Sequence, residues 1–364
     1  MKKFLFFVGI AIASMTACTK TEGVLGTPSE SVISFKPLAA VQTKSGPITA
    51  YVEGTGDFNV YAWYQASDVS AAFNPTESYT LYMNDVTCTY TKVGDIDEGF
   101  EGMNTWKPAN TYYWPKNGKL TFSAYYPTNT ANIDVNAKNG ITITDYTISD
   151  AANTQVDLLF SDRAYDRVST TQTDNVKEYD GVDIVFNHAL SALTVNVKTA
   201  DDYAADAIKL KKVEIVDALN KGTFKENCNN GYNNDTHKPE WTLTGDVTTY
   251  TVFGLDENGT TVTREGWKAG KDCLVLPQVF SDDIAIKVTY AIKYIDGETT
   301  KYLEQTATFP LKNSTTGNNP ATAITAWEMG KWYKYNFTFT LDEIYFAPSV
   351  DKWDEVIVNP FEVK

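Results

Sequence analysis

Histidine is almost absent from this 364-residue chain, which holds two, His188 and His237. Cysteine is nearly as scarce at four, and no two cysteines form a CxxC pair. That poverty argues against a zinc ribbon, a thioredoxin-like redox site or a zinc centre of the usual ligand types. No GxSxG, HExxH, P-loop or GxGxxG element occurs either, so the common motif-bearing hydrolases and nucleotide-binding enzymes find no support. Positive charge is short: 31 basic residues stand against 46 acidic, a net of −15. Nucleic-acid binding needs clustered Lys and Arg, so no nucleic acid is expected as a partner. The apolar run Phe4 to Ala13 (FLFFVGIAIA) is ten residues long, whereas crossing a bilayer takes about 20. Sustained 3.6-residue apolar periodicity is also missing, and Tyr203 to Leu210 is the one stretch read as a short helix.

The few chemically capable residues have plain structural readings. His188 stands between Asn187 and Ala189 beside an apolar run, with no nucleophile motif to accompany it. A structural histidine hydrogen-bonded near a strand end is expected, with a catalytic base as the alternative. His237 falls in a polar stretch (NNGYNNDTHKPE) and reads as solvent-facing. Asp95-Ile96-Asp97-Glu98-Gly99 has the flavour of a calcium loop but lacks the EF-hand spacing, so an acidic turn is expected and no metal ligand is assigned. No cofactor is expected. Carboxylates are numerous enough that a glycosidase pair stays open by count, since the chemistry depends on a separation that sequence does not give. Cys88, Cys228 and Cys273 read as buried free thiols, with a Cys228–Cys273 disulfide as the alternative.

What the chain does have is alternation. Leu120, Phe122, Ala124 and Tyr126 alternate with Thr121, Ser123 and Tyr125; Leu193, Val195 and Val197 with Thr194, Asn196 and Lys198. Ile284 to Ile295 and Tyr333 to Asp342 repeat the pattern. Successive side chains of a strand point to opposite faces, so these runs predict strands with one buried and one wet face. The aromatic load of 22 Tyr, 18 Phe and 8 Trp agrees. Core packing is the simpler account of those rings, with sugar stacking as the alternative. Turn clusters such as Pro115-Lys116-Asn117-Gly118 and Asp256-Glu257-Asn258-Gly259 separate the runs. Many strands without crossover helices predict an all-β chain of antiparallel sandwiches.

The chain opens on Met1-Lys2-Lys3 and the short apolar run, which is the pattern of an export signal over residues 1–17. Met15-Thr16-Ala17 before Cys18 resembles the lipobox of bacterial lipoproteins, which implies cleavage before Cys18 and lipid attachment to its thiol. Residues 18–31, polar and rich in Gly, Thr and Ser, read as a tether. Removing the signal takes away two basic residues, leaving 29 against 46 acidic, a net of −17. Attachment to the outer membrane is therefore assigned to the lipid on Cys18 rather than to charge. The remaining 347 residues suit two domains. They are placed at 32–181 and 182–364, divided after the polar stretch STTQTDNVKEYDG.

Several segments together resemble the fimbrillin family, the subunits of type V pili: FNVYAWY (58–64), YYWPKNGKLTFSAYYP (112–127), VDLLFSDR (156–163), DIVFNHALSALTVNV (183–197) and WEMGKWYKYNFTFTLDEIYFAPSVDKW (327–353). The resemblance implies two transthyretin-like antiparallel β-sandwich domains in tandem and an assembly route. A lipidated precursor reaches the cell surface, and a trypsin-like protease cuts after a basic residue near the end of the first strand. The vacated groove takes the C-terminal segment of another pilin subunit, and the product is a fimbrium supporting adhesion to a host or bacterial surface ligand. Carried onto this chain, the removable strand is 32–41, with Ile33 and Phe35 on one face, and the cut falls at Lys44–Ser45. Lysine stands there where the family often has arginine, while Gly46 and Pro47 favour a turn that a protease can reach. The donor strand is 353–364, with Val356 and Val358 on one face and Ile357 on the other. The rival readings are a non-polymerising surface lipoprotein that binds glycans, a pilus anchor or tip protein, and an enzyme such as a glycosidase.

Overall fold

The computed structural model describes residues 32–38, 48, 54–66, 79–92, 104–115, 117–168, 181–204, 206–228, 238–312, 314–315, 323–341 and 343–352. The chain is all-β. Its first strands are β1 (Phe35–Leu38), β2 (Phe58–Gln65), β3 (Thr80–Lys92), β4 (Asn104–Pro108), β5 (Lys119–Tyr126), β6 (Ile133–Asn136), β7 (Gly140–Thr147), β8 (Leu159–Ser161), β9 (Ala164–Arg167) and β10 (Val182–His188). Next come β11 (Ser191–Thr199), β12 (Ile208–Lys225), β13 (Glu240–Phe253), β14 (Thr260–Thr261), β15 (Trp267–Lys268), β16 (Cys273–Val275) and β17 (Gln278–Val279). The last are β18 (Ala285–Asp296), β19 (Thr299–Pro310), β20 (Ser314–Thr315), β21 (Ala323–Ile324), β22 (Ala326–Trp327), β23 (Lys331–Phe339) and β24 (Ile344–Lys352).

Eight strands form the first sheet in the order β2-β3-β4-β1-β10-β8-β5-β9, and β2 also pairs β5. That extra pairing closes a seven-strand ring, so the sheet turns back on itself instead of ending in open edges. The ring encloses a core of Ile33, Phe35, Phe58, Val60, Met83, Trp106, Phe122 and Ile184 with their neighbours. A second sheet runs β15-β11-β23-β24 with β16 on β11, and a third runs β19-β18-β12-β7-β6 with β13 and β14 on β12. These two share the larger core, which includes Leu193, Val195, Leu210, Ile215, Ile286, Trp327, Tyr335 and Phe337. The ladder passes from the first sheet to the second at His188–Ser191, while β6 and β7, earlier in the chain, pair onto β12 of the third sheet.

Three sequence expectations change here. Tyr203 to Leu210 is no helix: Ile208 starts the 18-residue strand β12, where Ile208 and Leu210 face β18. Nor are all pairings antiparallel, because β1 runs parallel to β10 and β11 parallel to β23. A parallel neighbour needs a long crossover; the whole excursion through β2–β9 supplies one, and the stretch from β12 to β22 supplies the other. Finally, β5 has no wet face. Seven of its eight residues are buried, because Leu120, Phe122 and Ala124 fill the ring while Tyr125 on the opposite face joins the larger core.

Candidate functional site

The first strand is the element on which the predicted chemistry of assembly turns, and it lies inside the ring wall. From Val32 to Leu38 burial alternates strictly, with Ile33, Phe35 and Pro37 inward and Ser34 and Lys36 half-buried. Ile33 and Phe35 are 0% exposed. The Phe35 ring meets Phe122 edge-on at 5.4 Å and Phe58 at 6.2 Å between centroids, the geometry aromatic pairs prefer. On one side Phe35 to Leu38 run parallel to Val182 to Val185; on the other Phe35 opposes Trp106 of β4. The Ile33 N–H donates to Tyr112 O and the Val182 N–H to Ser34 O, each at 2.8 Å. Gly181 makes this approach possible. A Cβ there would lie 2.6 Å from the Phe35 nitrogen, and the residue's φ of +95° suits glycine alone. Burying side chains such as Ile33 and Phe35 is worth about 1.5–3 kcal/mol each, so this short strand contributes a substantial share of the ring's cohesion.

The next described residue after Leu38 is Ile48, which is half-buried against the ring core. Its N–H donates to Asp157 Oδ2 at 2.9 Å. Asp157 Oδ1 accepts the Leu158 N–H at 2.9 Å, and His188 Nδ1 lies 2.9 Å from Oδ2. An ionised carboxylate only accepts, so the imidazole carries its proton on Nδ1. This is the structural histidine at a strand end that the sequence predicts, and its partner, 31 residues away, was not legible from sequence.

Cys18, Lys44, Ser45, Val356, Ile357 and Val358 lie outside the described residues, as do His237 and Asp95 to Gly99. Cys88, Cys228 and Cys273 are free and buried, so the disulfide alternative for Cys228 and Cys273 is not realised. Burial raises all three thiols, Cys273 to about 12, which leaves them as inert protonated groups. Among the described residues no cluster of three or more His, Cys, Asp or Glu could hold a metal ion. A surface cleft of about 460 Å³ beside Trp241, Leu243 and Val279 presents one carboxylate, Asp217, and a second of about 310 Å³ presents Asp145. Neither brings together the two carboxylates that glycoside hydrolysis requires.

A buried cation was also missed. Arg163, 4% exposed, donates to the carbonyls of Asn136 at 2.8 Å and of Ala137, and its guanidinium lies 5.1 Å from the centre of the Trp63 ring. It thereby fastens the β6–β7 region, which pairs with the third sheet, to the wall of the ring. Little in the sequence signals it, because Arg163 follows Ser161 and Asp162 at the end of the mixed segment VDLLFSDR, where a solvent-facing arginine is the ordinary reading.

Comparison with known proteins gives this arrangement a context. No curated protein matches the chain. Among solved structures, a fimbrial protein from Bacteroides vulgatus ATCC 8482 superposes with a TM-score of 0.55 at 16% identity, covering 89% of this chain and 99% of that one. A candidate cell adhesion protein from Bacteroides uniformis ATCC 8492 superposes with a TM-score of 0.53 at 16% identity, covering 90% and 99%. At such identity these likenesses concern the fold. The family model described as fimbrillin-like matches residues 44–353, nearly all of the chain beyond the first strand. On that match this chain belongs to the fimbrillin-like family.

Proposed function

We propose that the chain is a structural subunit of a cell-surface pilus, exported as a precursor lipidated on Cys18 and polymerised by protease-triggered strand exchange to support adhesion. The observation that carries this reading is the position of the first strand. It is one short strand between β4 and β10, with Ile33 and Phe35 at 0% exposure, and nine residues separate its end from Ile48. A cut after Lys44 would detach it and open the ring along β4 and β10. The unpaired edges would then invite another strand.

The C-terminal segment has the pattern to fill that gap. Ile33-Ser34-Phe35-Lys36-Pro37 and Val356-Ile357-Val358-Asn359-Pro360 both read apolar, any, apolar, any, proline. A donor in the register of β1 would put Val356 where Ile33 sits and Val358 where Phe35 sits. Two transthyretin-like domains, 32–181 and 182–364, belong to the same proposal; they exchange elements, with β10 completing the first ring and β6–β7 extending the third sheet. Partners under this reading are other pilin subunits, a trypsin-like protease and a surface ligand. Fimbrillin-like membership favours a non-enzymatic role.

The deciding experiment is the intact mass and N-terminal sequence of the protein taken from the cell surface. A subunit that polymerises is expected to start at Ser45 without lipid. A lipidated Cys18 start would turn the reading to an anchor or a glycan-binding lipoprotein. Deleting Val356 to Lys364 is expected to permit the cut and to abolish fibres, scored by electron microscopy; normal fibres from that deletion would remove the segment from the mechanism.

A further inference from the structure

The chain on the far side of the proposed cut is held by a side chain from distant sequence. Ile48 lies four residues after Lys44. Its N–H donates to Asp157 Oδ2 across 109 residues of sequence. Asp157 is 3% exposed and stands in the short segment between β7 and β8. Gln155 in that segment is itself pinned: its Nε2 donates to Leu274 O at 2.8 Å and its Oε1 accepts the Leu274 N–H at 2.5 Å. His188 braces the carboxylate from the last position of β10. The next residue, Ala189, donates its N–H to Leu158 O at 2.9 Å and accepts the Trp241 Nε1–H at 2.6 Å. Asp157 therefore sits where the ladder passes from the first sheet to the second, on a frame bonded to both.

We infer that Asp157, oriented by His188, is the anchor for the new amino-terminal end produced by processing. It captures the Ile48 amide so that the first strand can leave without loosening the chain behind the cut. The inference rests on the proposed cut, in which water adds across the Lys44–Ser45 peptide bond, leaving a carboxylate on Lys44 and an ammonium on Ser45. Upstream of that bond the chain is held by β1 and downstream by Asp157. Separation then removes the β1 contacts alone, and the Asp157–Ile48 bond keeps the mature end beside the ring. Asp157 is a positioning residue and takes no part in the hydrolysis.

The test is amide hydrogen exchange, read residue by residue on the full chain before and after limited trypsin digestion. The Ala269 N–H, donated to Val195 O within the larger core, reports global integrity. In the parent chain Ile48 is expected to stay protected both before and after the cut. Asp157→Ala is expected to speed Ile48 exchange at least about tenfold with Ala269 unchanged, the size of losing one charge-assisted bond. If Ala269 also speeds up, Asp157→Leu takes the place of that variant, because leucine fills a similar volume and offers the Ile48 N–H no acceptor. Unchanged Ile48 exchange in a folded variant overturns the anchor. Absence of a Ser45 start in digested parent chain instead overturns the cut, while the exchange in uncut chain still judges the contact on its own.

Discussion

Lys44→Ala is expected to leave the precursor on the membrane, lipidated and unpolymerised. The reason lies in the spacing of basic residues. Between Lys36 and Lys92 the chain has no lysine or arginine except Lys44. Lys36 is followed by Pro37 and lies within β1 between its two neighbouring strands, so a trypsin-like protease has neither the sequence nor the access it needs there. A specificity pocket built around a cationic side chain rejects a substrate lacking it by roughly 10^4-fold. Removing one ammonium should thus stop the cut instead of shifting it. Lys44→Arg is expected to be processed as the parent is, by a protease that accepts arginine. Immunoblots of membrane and sheared surface fractions, with N-terminal sequencing, check both variants; a Ser45 start in the Lys44→Ala protein would reject the site.

Phe35→Ala is expected to separate the precursor from the processed subunit. In the precursor Phe35 is fully buried and touches Phe58 and Phe122. Truncating a core phenylalanine costs about 3–5 kcal/mol, through lost transfer energy and the cavity left behind. Denaturant unfolding of the precursor should show that loss. The processed subunit no longer contains residue 35, so its unfolding should match that of the parent's processed form. A destabilised processed form would mean that the first strand stays with the subunit, and the exchange reading would fall with it. An unaltered precursor would contradict the burial of the strand.

Much of this molecule could be read from its residues in order. Alternation marked β5, β11, β18 and β23 because a strand turns each side chain to the opposite face, a local property needing no partner. The same rule failed where bulges shift the phase. From Ile208 to Ala218 along β12 the buried residues are Ile208, Leu210, Val213, Ile215 and Ala218, spaced two, three, two, three. Register shifts fall between Leu210 and Lys212 and between Ile215 and Ala218, and Asp217 takes a φ of +59°. Each extra residue moves the apolar set by one position, so strict alternation is lost from the sequence although the segment is a strand.

By itself the sequence determined the all-β class, the scarcity of catalytic groups, the shared face of Ile33 and Phe35, and the resemblance to the fimbrillin family. All of these are properties of composition or of neighbouring residues. Only the tertiary structure decided that β1 closes a ring, that β5 is buried on both faces, and that Asp157 meets both His188 and the Ile48 amide. Those facts depend on pairings between residues 31 to more than 100 positions apart. Such contacts are selected by the joint packing of many strands, and no local pattern encodes which distant residue will arrive.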